Sequence, residues 1–388
     1  MGRWIREVFR RAGSAVALAV PLLAAVAAPR ATAEGEEAAP APRWYEEISV
    51  DGFVSTSWSY NFNRPASGTN QYRVFDFDDG SIKLDVAELV IRKDAAKVGE
   101  TGFRADAVAG ASIPRMSAAS GLFRDPETGE AGDFDLQQAY VTWIAPVGSG
   151  LRLDVGKFTT TVGYELIEGY DGWNDNATRS FLFGYAQPAT HTGLKAGYAF
   201  SGKVSANLLL VNGWDNVKDG NSSKTLGAGV TLAPGPALSL TVNGMYGPER
   251  SGNDADARSL LDVVAVVKAS DAVTVAFNLD LGTEEGAAPG GGSATWWGAS
   301  GYVRWSISPA FALALRAEHF DDADGVRTGV VQELREVTLT PEARVGPHLV
   351  FRADLRVDVS NAEVFEDADG ALTKKRQPTV LLNALYAF

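Results

Sequence analysis

Apolar and polar residues alternate with a period of two through most of the chain from Ile48 onward. The clearest segment is 349–359, where the odd positions are apolar and the even positions 352 to 358 alternate arginine and aspartate. This period is typical of β-strands with one apolar face, and no segment of useful length follows the helical period. Turn signals divide the chain into about sixteen such strands. The predicted strands are 48–63, 82–94, 101–113, 134–145, 150–162, 190–200, 204–212, 224–233, 237–246, 258–269, 272–282, 294–307, 311–319, 330–345, 348–360 and 379–388.

The connections between these strands alternate in length. Short ones such as 146–149 and 308–310 alternate with eight long ones. Outer-membrane barrels have short periplasmic turns and long extracellular loops, and closed barrels satisfy their backbone polar groups in lipid. We therefore predict an all-β fold, a closed antiparallel transmembrane β-barrel of about 16 strands. The predicted long loops are 64–81, 114–133, 163–189, 213–223, 247–257, 283–293, 320–329 and 361–378.

The N-terminal 33 residues have the organisation of a secretory signal peptide. Arginines precede an apolar stretch, and an A-x-A cleavage pattern ends at Ala33. We expect 1–33 to be a cleaved signal peptide and 34–47 to be a flexible periplasmic stub. Residues 48–388 are then the outer-membrane β-barrel, which implies localisation in the cell outer membrane.

The chain contains no cysteine and carries a net charge of −13. The first property excludes disulfides and thiolate metal sites. The second argues against nucleic acid as a partner, because phosphate binding needs a basic surface. The eight predicted long loops together carry −14, so the predicted channel wall is nearly balanced. We expect a negative external rim and a weak preference for cations that salt screens.

Charged residues of a barrel strand are expected on the lumen face, because an arginine at the lipid midplane costs about 2–4 kcal/mol. On that face acidic and basic residues often stand two positions apart. They form a hydrated channel wall, or salt bridges that stiffen the barrel, or both. The predicted pore-lining residues are Lys83, Asp85, Arg104, Asp106, Arg152, Asp154, Arg316, Glu318, Arg352, Asp354, Arg356 and Asp358.

The longest predicted loop, 163–189, is rich in charged and aromatic residues. By analogy with general porins, whose third extracellular loop folds into the lumen, we expect this loop to form a pore constriction. A ring of charged side chains there would select solutes by size and charge. The alternatives are an exposed solvated loop and an oligomer contact. The predicted constriction residues are Glu165, Glu168, Asp171, Asp175 and Arg179.

Aromatic residues are concentrated near the predicted strand ends, which is typical of the two interfacial girdles of a barrel. Phe388 ends the last predicted strand and resembles the terminal aromatic signal read by the barrel assembly machinery. We therefore expect that machinery to be a partner. The predicted girdle residues are Trp58, Tyr60, Tyr198, Phe200, Trp214, Tyr246, Trp296, Trp297, Trp305 and Phe320.

A series of short motifs within 73–224 resembles the OmpL-like β-barrel porin-2 family of Gram-negative outer membranes. The order and spacing of the motifs are more specific than any one of them. The resemblance implies a porin-like barrel and leaves the solute undefined. The matching residues are Arg73, Phe75, Asp76, Gln138-Ala139-Tyr140-Val141, Gly156-Lys157-Phe158-Thr159, Gly163-Tyr164-Glu165, Ser180, Phe183, Pro188, His191, Gly193, Asn212-Gly213-Trp214-Asp215, Asn221 and Lys224.

Together these features predict an outer-membrane porin that lets small hydrophilic solutes or ions diffuse passively through a water-filled lumen. The alternatives are a surface-binding or structural barrel with a loop-blocked lumen, and a substrate-selective outer-membrane channel. Three dispersed histidines and the lack of H-E-x-x-H and G-x-S-x-G motifs argue against an enzyme. We expect no metal and no cofactor. The expected partners are outer-membrane lipid and lipopolysaccharide, small solutes or ions, and further copies of the chain in a homotrimer.

Overall fold

The computed structural model describes residues 43–388. The predicted signal peptide 1–33 and most of the predicted stub lie outside the described residues, and both stay predictions. Trp44–Glu47 form one turn of 3-10 helix. Within the described part of the chain, no helix is both long enough and apolar enough to cross a membrane.

The regular secondary structure in the rest of the described chain is almost entirely β-strand. All strands except β16 and β17 form one closed antiparallel barrel of sixteen strands, which confirms the predicted fold. Barrel strands pair with their sequence neighbours, and the ring closes where β1 pairs with β18. The strands are β1 (Ser49–Asn61), β2 (Ile82–Lys93), β3 (Thr101–Ala109), β4 (Phe134–Ala145), β5 (Leu151–Thr159), β6 (Thr190–Ser201), β7 (Val204–Val211), β8 (Thr225–Gly235), β9 (Leu238–Pro248), β10 (Ala257–Lys268), β11 (Val273–Glu284), β12 (Ala294–Ser306), β13 (Phe311–Asp322), β14 (Gln332–Val345), β15 (Leu349–Ser360), β16 (Phe365–Glu366), β17 (Leu372–Lys374) and β18 (Arg376–Ala387).

The connections alternate between short turns at one end of the barrel and longer loops at the other. The longest loop is the third one, 160–189. Sequence patterns did not predict three small elements inside the loops. In the last loop, β16 and β17 pair as a short hairpin. Ile113–Met116 and Leu182–Ala186 form single helical turns, which are too short to show a helical period.

In most barrel strands the two faces differ in burial. In β15 the charged residues Arg352, Asp354, Arg356 and Asp358 are buried, whereas Phe351 on the other face is exposed. The buried face of β15 points into the barrel, where loop residues cover it. The exposed face is apolar, as contact with lipid requires.

The prediction of aromatic girdles is correct for some residues and wrong for others. Tyr246 and Trp305 are exposed on the outer surface. Trp214, Trp296 and Phe320 are instead buried in a hydrophobic cluster inside the barrel. The two strand residues among them are in phase with the inward-facing positions of their own strands, so proximity to a strand end was a misleading signal.

Candidate functional site

Loop 160–189 folds into the barrel and packs against its inner face. Phe181, Leu182 and Ala186 are almost completely buried. Trp296 Nε1 donates a hydrogen bond of 3.1 Å to the carbonyl oxygen of Ala186. The exposed-loop alternative therefore does not describe this segment. The inner faces of β12, β13, β14 and β15, which the loop contacts, are called the covered wall below.

Arg316 is the central anchor between the loop and the covered wall. Its completely buried guanidinium places Nη1 2.6 Å from Glu165 Oε1 in the loop and Nε 2.5 Å from Glu336 Oε1 on β14. Nη1 also donates a hydrogen bond of 2.6 Å to Thr178 O. Removing one partner from a buried ion pair is strongly destabilising, so these contacts hold the loop in place.

A second ion-pair group fixes the middle of the loop. Arg352 Nη1 lies 2.7 Å from Glu168 Oε1, and Arg179 Nη2 lies 3.3 Å from Glu168 Oε2. Burial alone would raise the pKa of Glu168, but the two guanidinium groups outweigh it and hold that pKa below its ordinary value. Glu168 is therefore an ionised anchor.

A third ion-pair group involves Arg304 of β12. Arg304 Nη1 lies 2.8 Å from Asp175 Oδ1 in the loop, and Nη2 lies 2.7 Å from Glu342 Oε1 on β14. Burial raises the pKa of Asp175, and the nearby Arg304 guanidinium opposes this shift. With Glu165 and Glu168, three of the four carboxylates of loop 160–189 bind arginines of the covered wall.

Two wall carboxylates bind the backbone of the same loop. Glu318 accepts hydrogen bonds of 2.6 Å from Phe181 N and 3.2 Å from Leu182 N. Asp354 accepts a hydrogen bond of 2.7 Å from Thr178 N. Buried N–H groups need partners, and carboxylates are strong acceptors. The covered wall thus supplies acceptors as well as cations.

Asp358 connects Arg356 of the covered wall to the first long loop. Arg356 Nε lies 2.7 Å from Asp358 Oδ1, and Arg73 Nη2 lies 2.6 Å from Asp358 Oδ2. Arg73 belongs to the loop between β1 and β2. A second long loop is therefore fastened to the covered wall by buried charges.

Lys83 and Asp85 have a similar role on β2. Lys83 Nζ donates a hydrogen bond of 2.6 Å to Phe75 O in the first long loop. Asp85 Oδ1 accepts hydrogen bonds from Ser57 (2.9 Å) and from Ser112 in the second long loop (3.3 Å). These two residues connect loops to the barrel rim.

The inner faces of β3 to β8 are called the open wall. Basic side chains on this wall remain in contact with solvent. The Arg152 side chain is 44% exposed and that of Lys195 is 22% exposed. Asp154 lies buried beneath them, 3.0 Å from Arg152 and 3.4 Å from Lys195. No atom lies within 4 Å of the position that a Cβ at Gly197 would occupy. The cationic tips therefore border open space.

A cavity of about 270 Å³ lies between the open wall and the loop. Arg104 and Gln138 line it from the wall, and Thr161 and Asp171 line it from the loop. Arg104 Nη1 lies 2.6 Å from Asp171 Oδ2, and its Nε lies 2.8 Å from Asp106 Oδ1. The side chain of Asp171 is 55% exposed. Within loop 160–189 it is the carboxylate that faces solvent.

The predicted site residues thus fall into groups that the sequence did not separate. Those of β3 and β5 belong to the open wall, those of β13 and β15 lie under the loop, and those of β2 bind other loops. Sequence reasoning missed Arg304, Glu336, Glu342 and Lys195. The three on β12 and β14 share the phase of inward-facing neighbours, which is a readable signal. Lys195 stands alone among glycines and alanines, where the alternation is weak.

The histidine nearest the loop has a structural role. His191 lies 3.0 Å from Thr160 Oγ1 through Nε2 and 3.1 Å from Gly213 O through Nδ1. Both ring nitrogens therefore have partners between the third and fourth long loops. Among residues 43–388, no group of three or more acidic or histidine side chains is arranged to hold a metal ion.

A sixteen-stranded barrel with its third long loop inside is a porin-type architecture. The outer membrane channel DcaP of Acinetobacter baumannii has a TM-score of 0.61 and 11% identity, over 88% of this chain and 97% of that chain. An anion-selective porin from Comamonas acidovorans has a TM-score of 0.59 and 12% identity, over 88% of this chain and 99% of that chain. A trimer form of OmpT from Vibrio cholerae has a TM-score of 0.55 and 10% identity, over 88% of this chain and 99% of that chain. At such identities the likeness shows the fold alone.

The chain belongs to the beta-barrel porin-2, OmpL-like family, whose model matches residues 47–388. It is therefore a porin of the outer membrane, which confirms the family resemblance, the localisation and the channel class predicted from sequence. Family membership points to a channel rather than an enzyme. Among curated proteins, none matches this chain.

Proposed function

We propose that this porin conducts small hydrophilic solutes and ions along a water-filled passage between loop 160–189 and the open wall. This proposal is supported by charged side chains that contact solvent on both sides of the passage. Arg152 and Lys195 contribute from the wall, and Asp171 contributes from the loop. The covered wall offers no such passage, because the arginines that contact the loop are buried or largely buried in ion pairs.

We further propose that the loop is the constriction and that its charged residues have two roles. Glu165, Glu168, Asp175 and Arg179 hold the loop against the barrel, as their buried ion pairs suggest. Asp171 pairs directly with Arg104 at the lining of the cavity, and this partly exposed ion pair sets the local field. Opposed charges at a narrow point select solutes by charge and size.

The expected ion selectivity is weak. The long loops are acidic and favour cations at the external mouth. The exposed tips of Arg152 and Lys195 favour anions within the barrel. These two effects oppose each other and salt screens both. We therefore expect a smaller cation preference than the loop charges alone predict, with neither sign of ion dominant.

Single-channel conductance in planar bilayers tests this proposal. Wild-type protein should give discrete steps, and a variant with 163–189 replaced by a short Gly-Ser linker should give larger ones. Heat-modifiable electrophoretic mobility identifies the folded barrels. A folded wild-type barrel without steps would overturn the channel and favour the loop-blocked barrel. Equal conductance of two folded proteins would overturn the constriction.

The substitution Asp171→Asn tests the constriction without removing the loop. It should shift the reversal potential in a dilute KCl gradient toward anions, because the exposed carboxylate of the passage is lost. Asp125→Asn, an exposed carboxylate of the second long loop, is the matched control. Identical shifts in the two variants would contradict a position of Asp171 in the passage.

Three further partners belong to this proposal: copies of the same chain, the barrel assembly machinery, and membrane lipid with lipopolysaccharide. A homotrimer is favoured by the trimer form of the similar OmpT, and cross-linking that yields only monomers would exclude it. Phe388 is 54% exposed at the end of the chain and is proposed as the assembly signal. Unchanged membrane assembly of a Phe388→Ala variant would exclude that role.

A further inference from the structure

A group of basic residues lies on the outer surface at the loop end of the barrel. Strand pairing aligns His319 of β13 with Arg335 of β14, Arg335 with Val359 of β15, and Val359 with Arg376 of β18. Two arginines therefore flank one valine in a single row. Neighbouring strands are about 4.8 Å apart, so the two arginines stand about 10 Å apart along the barrel surface.

This row lies at the edge of the apolar band. Two positions from Arg335 along β14, Val337 is 53% exposed, and Leu339 follows on the same face. On β18, Leu382 is exposed on the same face as Arg376. The row thus lies at the level where lipid acyl chains give way to headgroups. An arginine is tolerated at this depth and costs far more at the midplane.

The positive charge of this row is only weakly neutralised by the protein. Arg335 pairs with Glu333 at 2.8 Å, but both side chains are well exposed, and such pairs contribute little. Within residues 43–388, Arg376 has no acidic side-chain partner. Lys374, two positions before Arg376, is exposed. We call Arg335, Lys374 and Arg376 the outer basic patch.

Aromatic rings border the patch on β12 and β13. The rings of Trp297 and His319 lie 4.9 Å apart, and Trp297 Nε1 donates a hydrogen bond of 3.1 Å to Asp321 Oδ2. Arg335 Nε lies 3.3 Å from His319 Nδ1. An indole and an imidazole on the outer face give flat surfaces and polar edges, which suit a sugar ring beside the cations.

We propose that the outer basic patch binds a phosphorylated glycolipid headgroup of the outer leaflet. The patch is positive beside acidic extracellular loops, so its charge complements an anionic lipid rather than the other loops. Guanidinium groups bind phosphate oxygens in bidentate fashion. The adjacent apolar band receives the acyl chains of the same molecule. The proposal is independent of conductance through the lumen.

Binding of bisphosphorylated lipid A to the folded full-length barrel in detergent, followed by native mass spectrometry, tests this proposal. The variant R335Q/R376Q should bind about thirtyfold more weakly, the effect expected for two arginines at an anionic lipid surface. Lipid A without phosphates should bind the wild type as weakly as lipid A binds the variant. The control K203Q/K268Q, at the opposite rim, should bind as the wild type does.

Three outcomes would overturn the proposal. The patch variant could bind as tightly as the wild type, or the control could lose as much affinity as the patch variant. Complete displacement of lipid A by an equal concentration of inorganic phosphate would assign the patch to free phosphate. Heat-modifiable mobility of all variants confirms that a loss of binding reflects the patch and not a loss of folding.

Discussion

The covered wall and the open wall are parts of the same inner surface, yet they treat charge differently. On the covered wall the guanidinium of Arg316 is completely buried. On the open wall Arg152 and Lys195 share Asp154 but keep their tips in solvent. Loop 160–189 makes this difference, because it covers one wall and leaves the other facing the lumen.

The comparison shows that a charged, alternating strand does not by itself indicate a hydrated channel wall. Buried ion pairs in a low-dielectric environment are expensive to separate. Solvated pairs contribute little and change the local potential instead. The covered wall therefore anchors the loop, and the open wall is the surface that passing solutes would contact.

The largest expected effect is the loss of the central anchor. Arg316→Met leaves Glu165 and Glu336 buried without their shared cation, so the free energy of unfolding should fall by about 3–5 kcal/mol. Denaturant unfolding of the barrel in lipid bilayers measures this change. A loss as small as that expected for a solvated ion pair would contradict the difference between the two walls.

Arg344→Met is the matched control for the anchor. Arg344 pairs with Glu342 at 2.8 Å, but its side chain is 41% exposed. Its loss should cost no more than about 1 kcal/mol. Similar losses in the two variants would show that burial under the loop does not distinguish the pairs.

The barrel itself could be predicted from sequence because its determinants are local. The period of two and the alternation of connection lengths are written along the chain, and they identified all sixteen barrel strands. In β15 the same pattern also placed Arg352 and Asp354 on the inner face. Each of these inferences needs only neighbouring residues and the requirement that lipid-facing positions be apolar.

The anchoring of the loop could not be predicted in this way. Glu165 and Arg316 are 151 positions apart, and no local pattern relates them. The analogy with general porins suggested the loop but not the partner of any one carboxylate. Asp171 follows Glu168 closely in the same loop. The carboxylate of Asp171 nevertheless faces solvent, whereas that of Glu168 is buried. Only the tertiary fold separates their roles.

A smaller effect is expected from thiol chemistry, which compares the two faces of the barrel directly. The chain has no cysteine, so single cysteines can be introduced without background. A Cβ at Gly197 or at Gly301 would have no atom within 4 Å. Gly197 lies on the inner face of β6, and Gly301 lies on the outer face of β12. Gly197→Cys should react with a charged, membrane-impermeant methanethiosulfonate and lose less than half of its conductance.

Gly301→Cys is the control, because its side chain faces lipid. In a bilayer it should react slowly with the same reagent and keep its conductance. Rapid reaction at both positions, or at neither, would contradict a water-filled space beside the open wall alone. Mass spectrometry of the modified protein measures the extent of reaction independently of the current.

The smallest expected effect concerns the loops above the open wall. Glu249 joins two of them, since it accepts hydrogen bonds from Trp214 N (2.7 Å) and Thr225 Oγ1 (2.6 Å). Burial raises the pKa of Glu249 from 4.5 to about 7, although the bonds from Thr225 and Trp214 act against it. The protonated form therefore stabilises the fold fully below pH 4.5, and this contribution is lost as the pH rises through about 7.

Hydrogen exchange at the amide of Trp214 should report this titration. Corrected for intrinsic chemistry, exchange in the wild type should accelerate as the pH rises through about 7, because ionised Glu249 is poorly solvated at its buried site. Glu249→Gln stays neutral and should abolish the acceleration. Asp254→Asn, which removes a carboxylate that also joins these loops through Ser222 N, should retain it. An unchanged profile in Glu249→Gln would assign the pH dependence to another group. It would also remove the contrast between an acid without an arginine partner here and the paired acids of the covered wall.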